Sequence, residues 1–476
     1  MQVKMSTYLQ EIKPLAKRLV DRLLKEYSYV SLLGTDTKGK LYTIKSTGVD
    51  LNDSRWSERG FVVRVYNGDN YSEYSFNELT EASFESVYKK ICETASVMNE
   101  LMKAVDFDVT EYALIEEASI QEVFLSELEI EPTAMSHEAK LEKMRAIMVK
   151  TMAESEELVD VRVNYEEAQV SKIFLSKEKD LEQSYVWTNG YVIPIGVRDG
   201  KMKYTFLVVS GLKGPEILNE LEGLYKNAVR DLNMLLKSST IEPGEYDVIL
   251  DPEMAGLVAH EAFGHGVEMD MFVKERAKAA KYLNQRVASD HVNMFDGAKS
   301  AEDVSSYLFD DEGVLGTDTQ IISKGVLTSG ISDVLSALSL GTKPTGNGKR
   351  ESFEHKAYSR MTNTFFAGGN DRLEDMIQSI DDGYLLESYS SGMEDPKNWG
   401  IQCVVSRGRE IKNGQLTGNV YSPIFLTGYV PDLLNSMSMV SEEVELTGGG
   451  YCGKGHKEFV KTSSGGPFIK ARGRLN

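Results

Sequence analysis

Six consecutive residues, His260-Glu261-Ala262-Phe263-Gly264-His265, set two imidazoles around one carboxylate. Imidazole nitrogen is a favoured zinc ligand, and a carboxylate beside the ion can take a proton from a water whose acidity the ion has raised. That chemistry is hydrolysis. The spacing is awkward for it, because residues five apart on a regular helix lie about 140° from each other around the axis, against about 40° for residues four apart. Chelation by both histidines therefore requires a locally widened i→i+5 turn, and Gly264 lowers the resistance to forming one. Glu261 and His265 share a helix face without distortion, so that pair stands as a rival ligand choice that would leave the base unassigned. The plainer alternative is two helix-lining histidines with a solvated Glu261.

Two histidines fall one short of the three protein ligands usual at catalytic zinc. The three cysteines, Cys92, Cys403 and Cys452, are too few for a disulfide framework. Cys452 stands in Gly448-Gly449-Gly450-Tyr451-Cys452-Gly453-Lys454-Gly455-His456, which matches seven of the eight positions of a phosphate-binding loop. The eighth is Gly455, where Ser or Thr must hold magnesium, and the stretch before Gly465-Gly466-Pro467 is too short for the helix such loops need. Nucleotide binding is not expected. Glycines instead let backbone approach an ion and free the Cys452 sulfur, although a cysteine in a tight loop is more commonly a buried structural thiol.

The elements that position these residues can be read from pattern. Tyr246-Asp247-Val248-Ile249-Leu250 reads as a buried strand, and Asp251-Pro252-Glu253 supplies an N-cap, a first-turn proline and a first-turn acid, so a helix should start near Pro252 and end near Gly266. Earlier in the chain, Leu9, Ile12, Leu15, Leu19 and Leu23 predict an amphipathic helix over 7–26, followed by strands over about 28–78 and a helix near 80–104. The same order recurs as a helix over 135–155, strands over 158–210 and a helix near 214–237. Gly60-Phe61-Val62-Val63 and Tyr74-Ser75-Phe76 align without a gap on Gly190-Tyr191-Val192-Ile193 and Tyr204-Thr205-Phe206, an offset of 130 residues that points to a duplicated strand-strand-helix unit. Turn-rich Ser238-Ser239-Thr240-Ile241-Glu242-Pro243-Gly244 marks a boundary. The expected architecture is α+β: an N-terminal α/β domain over 1–240 and a β-rich C-terminal domain over 241–476 that carries five of the six histidines.

Taken together, H-E-A-F-G-H, Thr345-Gly346-Asn347-Gly348-Lys349-Arg350-Glu351-Ser352, Ser359-Arg360-Met361-Thr362-Asn363-Thr364, the G-G-G-Y-C-G-K-G loop and Ser463-Ser464-Gly465-Gly466-Pro467 resemble the TldD/PmbA family, on its TldD side. The resemblance spans the second half of the chain, in the family's order. It implies a zinc-dependent metallopeptidase of the H-E-x-x-x-H type that acts on unfolded or leader peptides. It implies His260, His265 and Cys452 as ligands of one Zn2+ per chain, Glu261 as base, and a peptide held between the two domains by strand addition. It also implies a dimer, with itself or with a paralogous subunit, and the family's older label is modulator of DNA gyrase. Arg360 and Asn363 offer donors suited to gripping a peptide main chain, and Glu268 and Asp270 could hold the histidine tautomers. His456 and Glu268 are reserve ligands should Cys452 not serve. A non-catalytic peptide-binding or assembly subunit with a structural metal is the alternative from another class.

Composition narrows the partners. With 53 Lys plus Arg against 73 Asp plus Glu the net charge is −20, which repels phosphate backbones, so direct nucleic-acid binding is not expected. The N-terminus lacks the apolar core of a secretory signal and no stretch supplies 18 uninterrupted apolar residues, so the expected location is the cytoplasm, away from membranes.

Overall fold

The computed structural model describes residues 1–104, 110–455 and 458–476. The first half is one nine-stranded sheet with helices against it. Its elements are α1 (Thr7–Leu23), β1 (Val30–Lys45), β2 (Gly48–Asp53), β3 (Glu58–Tyr66), β4 (Tyr71–Phe76), α2 (Phe84–Ala104), β5 (Ile120–Leu125), α3 (His137–Met152), β6 (Leu158–Ser176), β7 (Lys179–Arg198), β8 (Lys201–Tyr204), β9 (Leu207–Gly211), α4 (Ile217–Gly223) and α5 (Tyr225–Leu236). The strand order is β4-β3-β1-β6-β7-β5, with β2 on β1 and β8 and β9 on β7.

The duplicated unit is present in this sheet. β1 and β6 pair antiparallel at the centre, from Ser31 opposite Ser176 to Ile44 opposite Val163, and β3 flanks β1 as β7 flanks β6. α1 begins at Thr7 and α3 at His137, the offset seen in the sequence motifs. α1 is launched by Ser6, whose hydroxyl accepts from the Leu9 amide at 3.3 Å, and it lays Leu9, Leu15, Leu19 and Leu23 against Leu32, Phe61 and Val63. In the second unit Met144 and Ile147 of α3 cover Tyr42, Val161 and Val163 in the same way. Two details differ from expectation. The helix near 214–237 is two helices broken at Leu224, and the second hairpin has slipped by two residues, with Tyr204 opposite Ile195 where Tyr74 stands opposite Val63. An even slip keeps every side chain on its own face of the sheet, which is why it is tolerated.

From Gly244 onward the chain is β-rich. β10 (Gly244–Leu250) pairs in parallel with Asp382–Asp395 and antiparallel with Ile469–Leu475. Gly400–Lys412 and Ile424–Tyr429 complete a closed ring of five strands, so β10 has no open edge. A second, six-stranded sheet has Met294–Asp296, Asn363–Phe366 and Ser463–Gly466 at its centre. α6 (Pro252–Leu257) leaves β10 and buries Met254, Ala255 and Leu257 in the largest apolar cluster among the described residues. Among the described residues no helix is long and apolar enough to cross a membrane.

The halves are tied by buried charge. Arg64 of β3 bridges Glu73 of β4, at 2.8 Å, and Glu312 of the second half, at 2.5 Å, while Arg350 reaches back to Glu73 at 2.6 Å. Gln183 donates to the Phe309 carbonyl at 2.9 Å. Removing one partner of a buried pair strands the other charge in low dielectric at a cost of about 3 kcal/mol. Arg64→Ala is therefore expected to lower unfolding free energy in urea by about that amount; a loss below about 1 kcal/mol would show that Glu312 finds water or another partner.

Candidate metal centre

The strand-to-helix entry that aims the histidines is built as the sequence dictates. Asp251 caps α6 by accepting from the Met254 amide at 2.8 Å, and its other carboxylate oxygen accepts from the Ser388 amide at 2.9 Å, fixing the helix start against the neighbouring strand. α6 is regular only to Leu257. Over Val258–Gly264 it widens into a π-helical turn, in which the His265 amide donates to the His260 carbonyl. This is the i→i+5 turn that the histidine spacing requires, and it swings both imidazoles to one side: the ring centroids are 5.1 Å apart with planes at 88°.

Gly264 sits where a side chain has no room. A Cβ there would fall on the sulfur of fully buried Met361 and 3.0 Å from the Ala259 carbonyl. Helix propensity alone would favour alanine by about 1 kcal/mol, but overpacking costs about 1–3 kcal/mol, so the steric effect decides the sign. Gly392, on Asp382–Asp395, makes the matching space for Glu261, whose Cγ would lie 2.5 Å from a Cβ at that position.

Cys452 arrives from a two-stranded hairpin, Tyr451–Lys454 with Glu458–Lys461, in which it faces Val460. Its sulfur is 3.5 Å from His265 Nε2. One donor atom from each of His260, His265 and Cys452 lies within 4.8 Å of the others, and Glu261 is outside that trio. Burial alone would raise the Cys452 thiol, yet the His265 and His260 imidazoles outweigh it and hold the thiol well below its ordinary range. Burial likewise opposes protonation of His265, but Cys452 and Glu268 pull it well above the usual imidazole value. Two imidazoles around an acidified thiol form a donor set of the kind zinc takes, so the residues present fit the metal.

The next layer holds this trio in place. Glu268 accepts from His265 Nδ1 at 3.2 Å, the tautomer-fixing role, and is itself held by Lys454 at 2.9 Å. Burial would raise the Glu268 carboxyl, but Lys454, His265 and Arg360 keep it far below the usual range. Asp270 binds Lys454 at 2.6 Å and Lys274 at 3.0 Å rather than a histidine. The lysine that made the glycine cluster look like a phosphate loop thus serves as a counter-ion, in a hairpin with no helix behind it. His456 lies outside the described residues.

Arg360 and Asn363 do not sit where peptide-gripping residues would. Arg360 is buried and donates to the Cys452 carbonyl at 2.7 Å and the Glu458 carbonyl at 3.1 Å, so it clamps the cysteine hairpin. The Asn363 side-chain amide is buried and donates to the Gly297 and Ala301 carbonyls and the Ser306 hydroxyl. Both are buried and committed to the chain's own acceptors, with only Arg360 Nε among their donor nitrogens left unpartnered, and burial, which sequence does not reveal, is the reason.

A cleft of about 660 Å³ opens over the trio, lined by His260, Glu261, His265, Cys452, Glu394 and Lys454 among others. All its lining comes from the second half, and the first half reaches its rim through Trp56, whose ring packs edge-on at 6.3 Å against Tyr451. Glu394 had no signal in the sequence. Both its carboxylate oxygens are shielded from solvent with no hydrogen-bond partner, and burial pushes its carboxyl well above the usual range against the pull of His265.

Fold and site together define an α+β protein in which donors of two histidines and one cysteine converge, a set that fits a metal ion, with a carboxylate nearby. Residues 243–472 match the family model described as the PmbA/TldA metallopeptidase C-terminal domain. A metalloprotease of Methanocaldococcus jannaschii is 26% identical over 95% of this chain and 97% of its own length. A Saccharolobus solfataricus protein named as a zinc metalloprotease TldD homolog is 33% identical over 54% of this chain and 56% of its own. Among solved structures, TldE of Thermococcus kodakarensis superposes with a TM-score of 0.75 at 17% identity, covering 97% of this chain and 99% of its own. A Thermotoga maritima protein, titled a candidate modulator of a DNA gyrase, superposes with a TM-score of 0.77 at 19% identity, covering 98% and 100%. Over residues 243–472 the chain belongs to the TldD/PmbA family of metallopeptidases.

Gly264→Ala should lower the thermal midpoint despite the better helix former, and shortening the neighbour in Gly264→Ala/Met361→Ala should lose less than the sum of the single changes. Additive losses would mean that the widened turn does not depend on this contact.

Proposed function

We propose that the chain is a zinc-dependent peptidase that hydrolyses unfolded or leader peptides. The observation that carries this reading is the convergence of His260, His265 and Cys452 donors within 4.8 Å, with Glu261 left outside the cage on the cleft wall. A divalent ion held by these three residues would raise the acidity of a water and polarise the scissile carbonyl. Glu261 would accept the proton of the attacking water and pass it to the leaving amine, and Gly392 leaves that carboxylate room to swing between the two. Glu268 keeps His265 Nδ1 engaged so that Nε2 faces the cleft. Arg360 is a positioning residue for Cys452, through its carbonyl.

Two strand edges border the cleft. Asp382–Asp395 pairs with β10 only through Gly383–Leu386, so its stretch from Tyr389 to Asp395 has a partner on one side only among the described residues. Tyr451–Lys454 is likewise paired on one side, with Glu458–Lys461. An extended peptide can add to such an edge through its main chain, a mode that selects for unfolded substrate. A dimer, with itself or with a paralogous subunit of the TldE kind, is part of the proposal and is supported by the likeness to TldE.

Glu261→Gln and wild type should each bind about one zinc per chain, while cleavage of an unstructured peptide by the variant falls by on the order of 10³. Cleavage at the wild-type rate would remove Glu261 from the chemistry. In the same measurements Cys452→Ser should lose zinc to a chelator that leaves wild type loaded; equal retention would take the sulfur out of the ligand set.

A further inference from the structure

We infer that Glu394 is a specificity-determining residue that receives a positively charged group of the substrate, an ammonium or guanidinium close to the scissile bond. This rests on the peptidase reading and adds to it a preference among peptides.

The placement follows from strand geometry. Side chains two apart on a strand share a face and stand roughly 7 Å from each other along it. Gly392 faces Glu261, so Glu394 is presented on the same side, one dipeptide step farther along the edge that borders the cleft. A peptide added to that edge with its scissile bond at Glu261 brings a group about two residues along to Glu394.

The chemistry follows from what Glu394 lacks. Both of its oxygens are shielded and bond to nothing in the protein, and a buried carboxyl without partners is costly in either protonation state. The nearby basic groups are engaged elsewhere: His265 with Glu268 and Cys452, Lys274 with Asp270, Lys454 with Glu268 and Asp270, Arg360 with the Cys452 and Glu458 carbonyls, and Lys278 with the Tyr429 hydroxyl. Arg276, at the cleft rim, is exposed. The Trp399 indole N–H is another bare polar group, as are Glu268 Oε1 and Arg360 Nε, which stand 3.9 Å from each other. The indole nitrogen and Glu394 Oε2 each lie 3.9 Å from where a Gly266 Cβ would be, an opening with room for an incoming atom beside His265. A carboxylate in a dry wall, with no cation hydrogen-bonded to it, is complementary to a cation brought by the ligand.

The source of that cation is either the free α-amino terminus of the peptide or a lysine or arginine side chain. Two matched pairs of unstructured peptides separate them: one peptide with its amino terminus free or acetylated, and one with lysine or norleucine two residues from the cleaved bond. Zinc-loaded wild type should show about a tenfold higher kcat/KM for the charged member of at least one pair. The pair that responds identifies the source. In Glu394→Gln, checked for wild-type zinc content, that ratio should fall to about one. Ratios of about one for both pairs in wild type overturn the inference, as does an undiminished ratio in the variant. Should zinc-loaded wild type cleave none of the four peptides, the peptidase reading fails. The inference is then decided by equilibrium binding of the same peptides to zinc-loaded Glu261→Gln, where charged members must bind about tenfold more tightly than neutral ones.

Discussion

Two histidines five residues apart cannot face one point from a regular helix, and the rest of the site depends on how the chain resolves that conflict. The solution is a single widened turn over Val258–Gly264, closed by the hydrogen bond from the His265 amide to the His260 carbonyl. The distortion needs support on every side. Asp251 fixes the helix start, β10 is locked in a closed ring of strands, and Met361 fills the space that Gly264 vacates. A turn so surrounded cannot relax to a regular helix without displacing buried neighbours, so the two imidazoles stay paired.

The third donor comes from far along the chain, and its position is secured electrostatically. Cys452 sits on a short hairpin that could not hold itself. Arg360 binds its carbonyl, Lys454 ties the strand to Glu268 and Asp270, and Tyr451 rests on Trp56 of the first half. Glu268 is the common node, since it touches His265 and Lys454 together. Donors from helix and hairpin are thus coupled through one buried carboxylate. The sheet of the first half contributes to the site by bracing this hairpin rather than by supplying cleft residues.

Much of this was legible in the residues. The five-residue spacing of His260 and His265 demanded a widened turn because helix geometry is rigid, and Asp251-Pro252 marked its launch because capping chemistry is local. The internal duplication was readable because its strands repeat aromatic and β-branched residues at a constant offset. Burial and long-range pairing were not legible. Arg360 and Asn363 carry donors that look available in a sequence, and only the fold shows those donors turned inward to carbonyls of their own chain. Glu394 is one acid among many in an acidic chain, and what sets it apart is the absence of any partner, a property that no motif records. Lys454 resembled a phosphate ligand until Glu268 and Asp270 appeared beside it.

The central claim is that one divalent ion is held by two nitrogens from the widened turn and one sulfur from the hairpin. X-ray absorption at the zinc edge of the metal-loaded protein reads that coordination shell directly. The account predicts one sulfur at about 2.3 Å and two imidazole nitrogens at about 2.0–2.1 Å, with the sulfur contribution absent in Cys452→Ser. A shell of nitrogen and oxygen alone in the unaltered chain would contradict it.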